Sequence, residues 1–191
     1  MTELILASTS PRRKELLEKL RIPFTVVASD YEEDMSLPLE PSELARTLSR
    51  GKAEAVADRF PESIVLGADT FVVLEGHLLG KPHTPEKALS MLQKIGGQWV
   101  SIITGYTVMC KKTHQVVSKS VETRVLISSC RDEVYARYVA TGEPLDKAGA
   151  FALQGLGAVL IERIEGDFYS AVGLPLYDLA KTLLLFNVPV L

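Results

Sequence analysis

Along this chain, apolar runs of strand length alternate with stretches whose apolar residues recur at helical spacing. Leu4-Ile5-Leu6-Ala7 opens as a strand and breaks into Ser8-Thr9-Ser10-Pro11-Arg12-Arg13. Ser10 is a natural helix N-cap and Pro11 suits the first helical position, which predicts a helix from Pro11 to about Leu20. Phe24 to Ala28 reads as a second strand, followed by a polar loop with Glu32, Glu33 and Asp34. A long amphipathic helix is predicted from Pro41 to about Arg59. Ser63 to Ala68 and Phe71 to Leu74 are extended, with Glu75-Gly76 as a turn. Thr84-Pro85 caps a further helix that ends at Gly96-Gly97. Trp99 to Cys110 and Val116 to Ile127 read as long strands around the polar hairpin Lys111 to Gln115. Ser129 and Asp132 mark a short helix ending near Thr141-Gly142, a strand lies around Ala158 to Ile164, and a helix from about Leu174 to Phe186 completes the pattern.

This alternation predicts an α/β fold with a mixed, twisted sheet flanked by helices, because the long hairpin interrupts the βαβ order. It allows two lobes with a central cleft within one domain covering residues 1–191.

Composition narrows the classes. With 24 acidic against 21 basic residues, the net charge of −3 gives no general attraction to nucleic acid or membrane. A polyanionic ligand must therefore be held by locally concentrated cations, and the lack of a basic stripe argues against direct nucleic-acid binding. Cys110 and Cys130 make neither a disulfide framework nor a zinc site. Isolated thiols and the absence of a signal-like N-terminal segment lead to the expectation of a soluble cytoplasmic protein.

Several residues resist a purely structural account. Arg12 and Arg13 occupy the first turn of a helix, where the macrodipole disfavours cations; with Ser8, Thr9 and Ser10 they suit an anion such as phosphate. The alternative is pairing to Glu15 or Glu18. Lys52 shares the apolar stripe of Leu44, Leu48 and Val56, opposite Arg46, Arg50, Glu54 and Asp58. Beside Gly51, which removes bulk, it reads as a lysine aimed at an anion, or else as one that snorkels. Asp69 interrupts the otherwise apolar Ile64 to Val73, and a carboxylate there calls for a cation, a metal or a catalytic task. The competing account is a bulge in which Asp69 accepts backbone hydrogen bonds. Lys81 in Gly80-Lys81-Pro82 adds a cation on a constrained loop, and Gln154 offers a donor and an acceptor among small residues. His77, His83 and His114 fall in turns or loops without metal-ligand spacing.

Together, Ser8-Thr9-Ser10-Pro11-Arg12-Arg13, Glu33, Lys52, Gly67-Ala68-Asp69-Thr70, Gly80-Lys81-Pro82, Asp146-Lys147-Ala148-Gly149-Ala150, Gln154-Gly155 and Gly173-Leu174-Pro175-Leu176 resemble the Maf family of nucleoside triphosphate pyrophosphatases across almost the whole chain. The resemblance implies hydrolysis to a monophosphate and pyrophosphate, a divalent cation (Mg²⁺ or Mn²⁺), an inosine-triphosphatase-like fold and a cytoplasmic homodimer. It implies that Asp69 is the proton acceptor, that Ser8, Arg12, Lys52 and Lys81 meet the phosphates, and that Glu33 helps with metal or water; Arg13 beside them is expected to bind substrate. Asp69 and Glu33 are the implied metal ligands. Arg12, Thr70 and Gln154 are similar to the branch acting on dTTP and UTP, with Gln154 reading the base; relatives often carry Tyr-Gly-Ile where Phe151-Ala152-Leu153 stands here. The family's links to removal of modified nucleotides and to septum inhibition frame two further expectations: a 7-methyl-GTP hydrolase, or a non-catalytic regulator that binds nucleotide or nucleic acid.

Overall fold

The computed structural model describes residues 3–190. Its strands are β1 (Leu4–Leu6), β2 (Thr25–Val26), β3 (Ile64–Leu74), β4 (His77–Leu79), β5 (Trp99–Cys110), β6 (Gln115–Ile127) and β7 (Ile161–Glu165). Its helices are α1 (Pro11–Glu18), α2 (Pro41–Ala57), α3 (Pro85–Ile95), α4 (Asp132–Ala140), α5 (Phe168–Val172) and α6 (Leu176–Leu185). The seven-stranded sheet runs β2-β1-β3-β5-β6-β7, with β4 beside β3. β1 is parallel to β2 and to β3, whereas β3–β4 and β6–β7 are antiparallel, so the sheet is mixed as expected.

The chain divides into two compact units. One holds the residues up to Thr70, Thr104–Val121 and those from Tyr169 onward; the other holds Phe71–Ile103 and Glu122–Phe168. In the first, Ile5, Ala7, Ala53, Val56, Ala57, Val65 and Met109 form a buried cluster between α2 and the strands. In the second, Ala88, Leu92 and Ile95 of α3 and Tyr135 of α4 are buried. There Thr84 caps α3 by accepting from the Lys87 N–H at 3.3 Å, as its sequence predicts.

Several local expectations are corrected. Asp69 does not interrupt a strand: β3 is continuous through it. Ser10 stands at the N-cap of α1, but its side chain makes no capping bond. Instead Ser8 Oγ accepts the Ser10 N–H at 3.2 Å and shapes the turn into the helix. α4 begins at Asp132 as expected, with Arg131 and not Ser129 at its N-cap. β4 and α5 are too short to show a period in sequence, and His77 belongs to β4 rather than to a turn. Residues 156–160 form a tight turn of helix, so the strand expected from Ala158 begins at Ile161.

The depth at which α2 seats on the sheet is set by glycine. A Cβ on Gly67 of β3 would lie 2.4 Å from the Ser49 carbonyl oxygen and 2.7 Å from the Ala53 nitrogen, both backbone atoms of α2. The helix can seat this low only because position 67 lacks a side chain. Gly51 has a different task from the one expected: its missing Cβ makes room for the Tyr31 ring, whose atoms lie 2.3 Å from where that Cβ would be. The glycine thus seats the loop that carries Glu33.

Candidate active site

β1 pairs with β3 only as far as Leu6 and Leu66, so Asp69 lies on β3 just beyond the carboxyl end of β1. Ligand sites in α/β sheets favour that position, where strand ends open toward a helix N-terminus. Asp69 is 6% exposed, and an ionised carboxylate that buried requires a partner. The partner is Lys52, itself 9% exposed, whose Nζ donates to Asp69 Oδ1 at 2.5 Å. The same ammonium lies 2.8 Å from Glu33 Oε1, on a half-exposed side chain. Lys52 therefore neither snorkels nor stands alone: it bridges two carboxylates, one from the sheet and one from the loop after β2.

Arg13 makes the second half of the cluster. From α1 its Nε donates to the Gly173 carbonyl at 3.2 Å, Nη1 to Ser8 Oγ at 3.4 Å and Nη2 to Thr70 Oγ1 at 3.2 Å. Burial pushes this guanidinium below its usual range, while Asp69 and Glu33 pull it back up. It nonetheless keeps its charge at any physiological pH. The ion pair in α1 is Lys14 with Glu18, not an arginine with Glu15 or Glu18. Arg12 is exposed at the helix start, next to an N-terminal turn with no acidic residue to balance the macrodipole.

Ser8, Arg13, Glu33, Lys52, Asp69 and Thr70 are thus gathered by contacts within one unit. Lys81 and Gln154 belong to the other unit, both exposed on loops, and take no part in those contacts. The Gln154 loop has its own anchor. Glu143 accepts from the backbone N–H groups of Leu156 at 3.0 Å and Gly157 at 2.8 Å and from the Tyr138 hydroxyl at 2.9 Å. Burial works to raise the Glu143 pKa, but these donors outweigh it and hold the carboxyl below its ordinary range.

Sequence reasoning missed Thr104, which is fully buried on β5 and bonded to Thr70 at 2.8 Å. A hydroxyl between Ile103 and Gly105 in an apolar strand was the available signal. It also missed Tyr31.

Among the described residues, no group of three or more His, Cys, Asp or Glu side chains is placed to hold a metal ion. Two carboxylates do converge on a single cation position, and Mg²⁺ commonly takes one or two protein carboxylates and completes its shell with water and substrate phosphate. The donor set therefore fits a hard divalent ion that arrives with a phosphorylated ligand. No helix among the described residues is long and apolar enough to cross a membrane.

The family model described as Maf-like protein matches residues 3–186. A protein of Methanosarcina mazei named dTTP/UTP pyrophosphatase is 53% identical over 184 residues, which cover 96% of this chain and 93% of that one. A Bacillus cereus protein of the same name is 42% identical over 190 residues, covering 100% of this chain and 98% of its own. The structure of the Staphylococcus aureus Ham1 protein aligns with a TM-score of 0.49 at 15% identity, over 67% of this chain and 73% of that one. The chain belongs to the Maf family.

Two measurements test the cluster and the anchor. Lys52→Met leaves a buried carboxylate without its cation and should cost about 3–5 kcal/mol in denaturant unfolding. Adding Asp69→Asn to it should restore much of that loss, whereas strictly additive losses would count against the pairing. Because Glu143 is held below its usual range, its contribution is full above a pH of about 4.5 and is lost as pH falls through the lowered value. The gap in Tm between the parent and Glu143→Gln should therefore be widest near neutral pH and close in acid; a gap constant with pH would refute the charge effect.

Proposed function

We propose that this chain hydrolyses dTTP and UTP to the monophosphate and pyrophosphate, by attack of water on the α-phosphorus. The observation that carries the chemistry is Lys52 bridging the buried Asp69 and the half-exposed Glu33 beside the half-buried Arg13. The names of the Methanosarcina mazei and Bacillus cereus relatives support the substrate.

In the reaction a water oxygen bonds to the α-phosphorus and the bridge to the β-phosphate breaks. Asp69 accepts the water's proton, and pyrophosphate leaves with the bond's electrons. Negative charge grows on the leaving oxygens, so fixed cations that need not reorganise lower the barrier. Arg13 and Lys52 supply two such charges, Ser8 a hydroxyl beside them, and Arg12 a further cation at the helix start.

The paired charges also explain a need for more. Arg13 and Lys52 are offset by Asp69 and Glu33, so the cluster has no net positive charge to attract a triphosphate. Asp69 and Glu33 would hold a Mg²⁺ or Mn²⁺ ion, which when bound neutralises phosphate charge and makes water more acidic. Lys81 and Gln154 we assign to phosphate and base contact on the family resemblance. The family model spans residues of both units, which supports a single functional domain. A cytoplasmic homodimer completes the reading; α6 exposes Tyr177, Leu184 and Leu185, apolar surface of the kind a second copy would cover.

Pyrophosphate release across a nucleotide panel, with and without Mg²⁺, tests this reading. dTTP and UTP should be the best substrates and the divalent ion required. Preference for 7-methyl-GTP, or binding without turnover, would overturn it. Asp69→Asn should lower kcat by about 10²–10⁴-fold with the fold intact; full turnover would remove Asp69 from the mechanism. Gln154→Ala should erode pyrimidine preference, and equal rates for variant and parent across the panel would refute its base-reading role. Sedimentation as a monomer at working concentration would refute the dimer.

A further inference from the structure

Two lines of hydrogen bonds leave the Arg13 guanidinium and end on one buried oxygen, the Ser170 carbonyl. In the first, Arg13 Nη2 donates to Thr70 Oγ1 at 3.2 Å, and Thr70 Oγ1 lies 2.8 Å from Thr104 Oγ1. Thr104 Oγ1 lies 2.8 Å from the Ser170 carbonyl oxygen, an atom that can only accept. The single Thr104 proton is therefore spent on Ser170, so Thr104 accepts from Thr70 and the Thr70 proton points inward. Only lone pairs of Thr70 are then left for Arg13. In the second line, Arg13 Nε donates to the Gly173 carbonyl at 3.2 Å, and the Gly173 N–H donates to the Ser170 carbonyl at 2.9 Å.

Ser170 and Thr104 are fully buried, so water does not compete for these bonds, and hydroxyls aligned in one direction polarise one another. The guanidinium is thus fixed at both ends by a single turn of backbone, directly at Nε and through two threonines at Nη2. Ser8 Oγ takes a third N–H, from Nη1 at 3.4 Å. All these partners lie in one compact unit. Three of the five guanidinium N–H groups are so engaged, which leaves one on each terminal nitrogen. That is the number a two-pronged grip on a phosphate group uses.

We propose that Thr104 is a positioning residue for Arg13: by drawing the Thr70 proton inward, it makes Thr70 an obligate acceptor that holds the guanidinium ready for a pyrophosphate group. This rests on the reading of the Arg13 and Lys52 cluster as the phosphate site of a pyrophosphatase. Thr104 touches no substrate and acts only through Thr70 and Arg13. Without its hydroxyl, Thr70 loses its inner partner and is free to turn its proton toward Arg13, where N–H would meet O–H. The Ser170 carbonyl keeps the Gly173 N–H in that case, so replacing Thr104 by valine leaves no orphaned carbonyl there.

The test is the calorimetric Kd for inorganic pyrophosphate, a probe with no base or sugar, in the parent, Thr104→Val and Thr104→Ser. Thr104→Val should weaken binding about three- to tenfold, as expected for one hydrogen bond, and Thr104→Ser, which keeps the hydroxyl, should bind as the parent does. The effect should also vanish without the guanidinium: kcat/KM for UTP should fall by a similar factor on Thr104→Val in the parent and stay unchanged when Thr104→Val is added to Arg13→Gln. An unchanged Kd in Thr104→Val, an equal loss in Thr104→Ser, or an equal fall in both backgrounds overturns the proposal. A further measurement needs no variant. A guanidinium held at three nitrogens does not turn freely, so Nη1 and Nη2 of Arg13 in the parent should give separate NMR signals, and one averaged signal overturns the proposal. A parent that binds pyrophosphate in this Thr104-dependent way but leaves dTTP and UTP intact removes the substrate reading alone. UTP turnover with Thr104-independent pyrophosphate binding removes this inference alone.

Discussion

The pairing of Lys52 with Asp69 is the constraint around which this protein is organised. A carboxylate buried in an eleven-residue, largely apolar strand would be costly to keep ionised by itself. A lysine on the buried face of a helix carries the same difficulty. Each resolves the other, but only if helix and strand approach closely enough for an ammonium to reach a carboxylate. The backbone contact permitted at Gly67 supplies that approach, and Tyr31, seated against Gly51, brings the loop that adds Glu33 as a second acceptor. The packing of α2 against the sheet is thus also the assembly of the reactive cluster.

Buried ion pairs of this kind contribute little net stability relative to well-packed apolar residues, so their presence in a core points to chemistry. Here the surrounding polar groups agree. Arg13 is tied to Ser8, Thr70 and the Gly173 carbonyl, bonds that span the first helix, the central strand and the segment between α5 and α6. Charged and polar atoms are held in place before any ligand arrives, which is what phosphoryl chemistry asks of a site. The positive charges of Arg13 and Lys52 are nearly balanced in that cluster by Asp69 and Glu33.

Much of this was readable in one dimension. The two long strands around the Lys111–Gln115 turn, the α2 helix and the Thr84 cap each follow from local rules of period and capping, and each stands close to where its pattern put it. Lys52 and Asp69 were legible because they broke those patterns: a cation in an apolar stripe, an anion in an apolar strand. β4 and α5 were not legible, since three and five residues are too few to set a period. Thr104 escaped notice because a single threonine suits a strand on propensity grounds, and nothing in its neighbours shows which partners its hydroxyl will meet.

The order of residues by itself determined the α/β class, the principal elements, the family and the identity of the charged groups, because these depend on local periodicity and on motifs that stay intact along the chain. Only the tertiary structure decided which charge neutralises which. Lys52 and Asp69 are separated by a helix end, a turn and half a strand, and Arg13 and Gly173 by most of the molecule. Their meeting depends on how closely backbones pack, and that is a property of shape, not of spacing along the sequence. The direction of the Thr70 proton is decided in the same way, by a carbonyl that folding brings to the far side of Thr104.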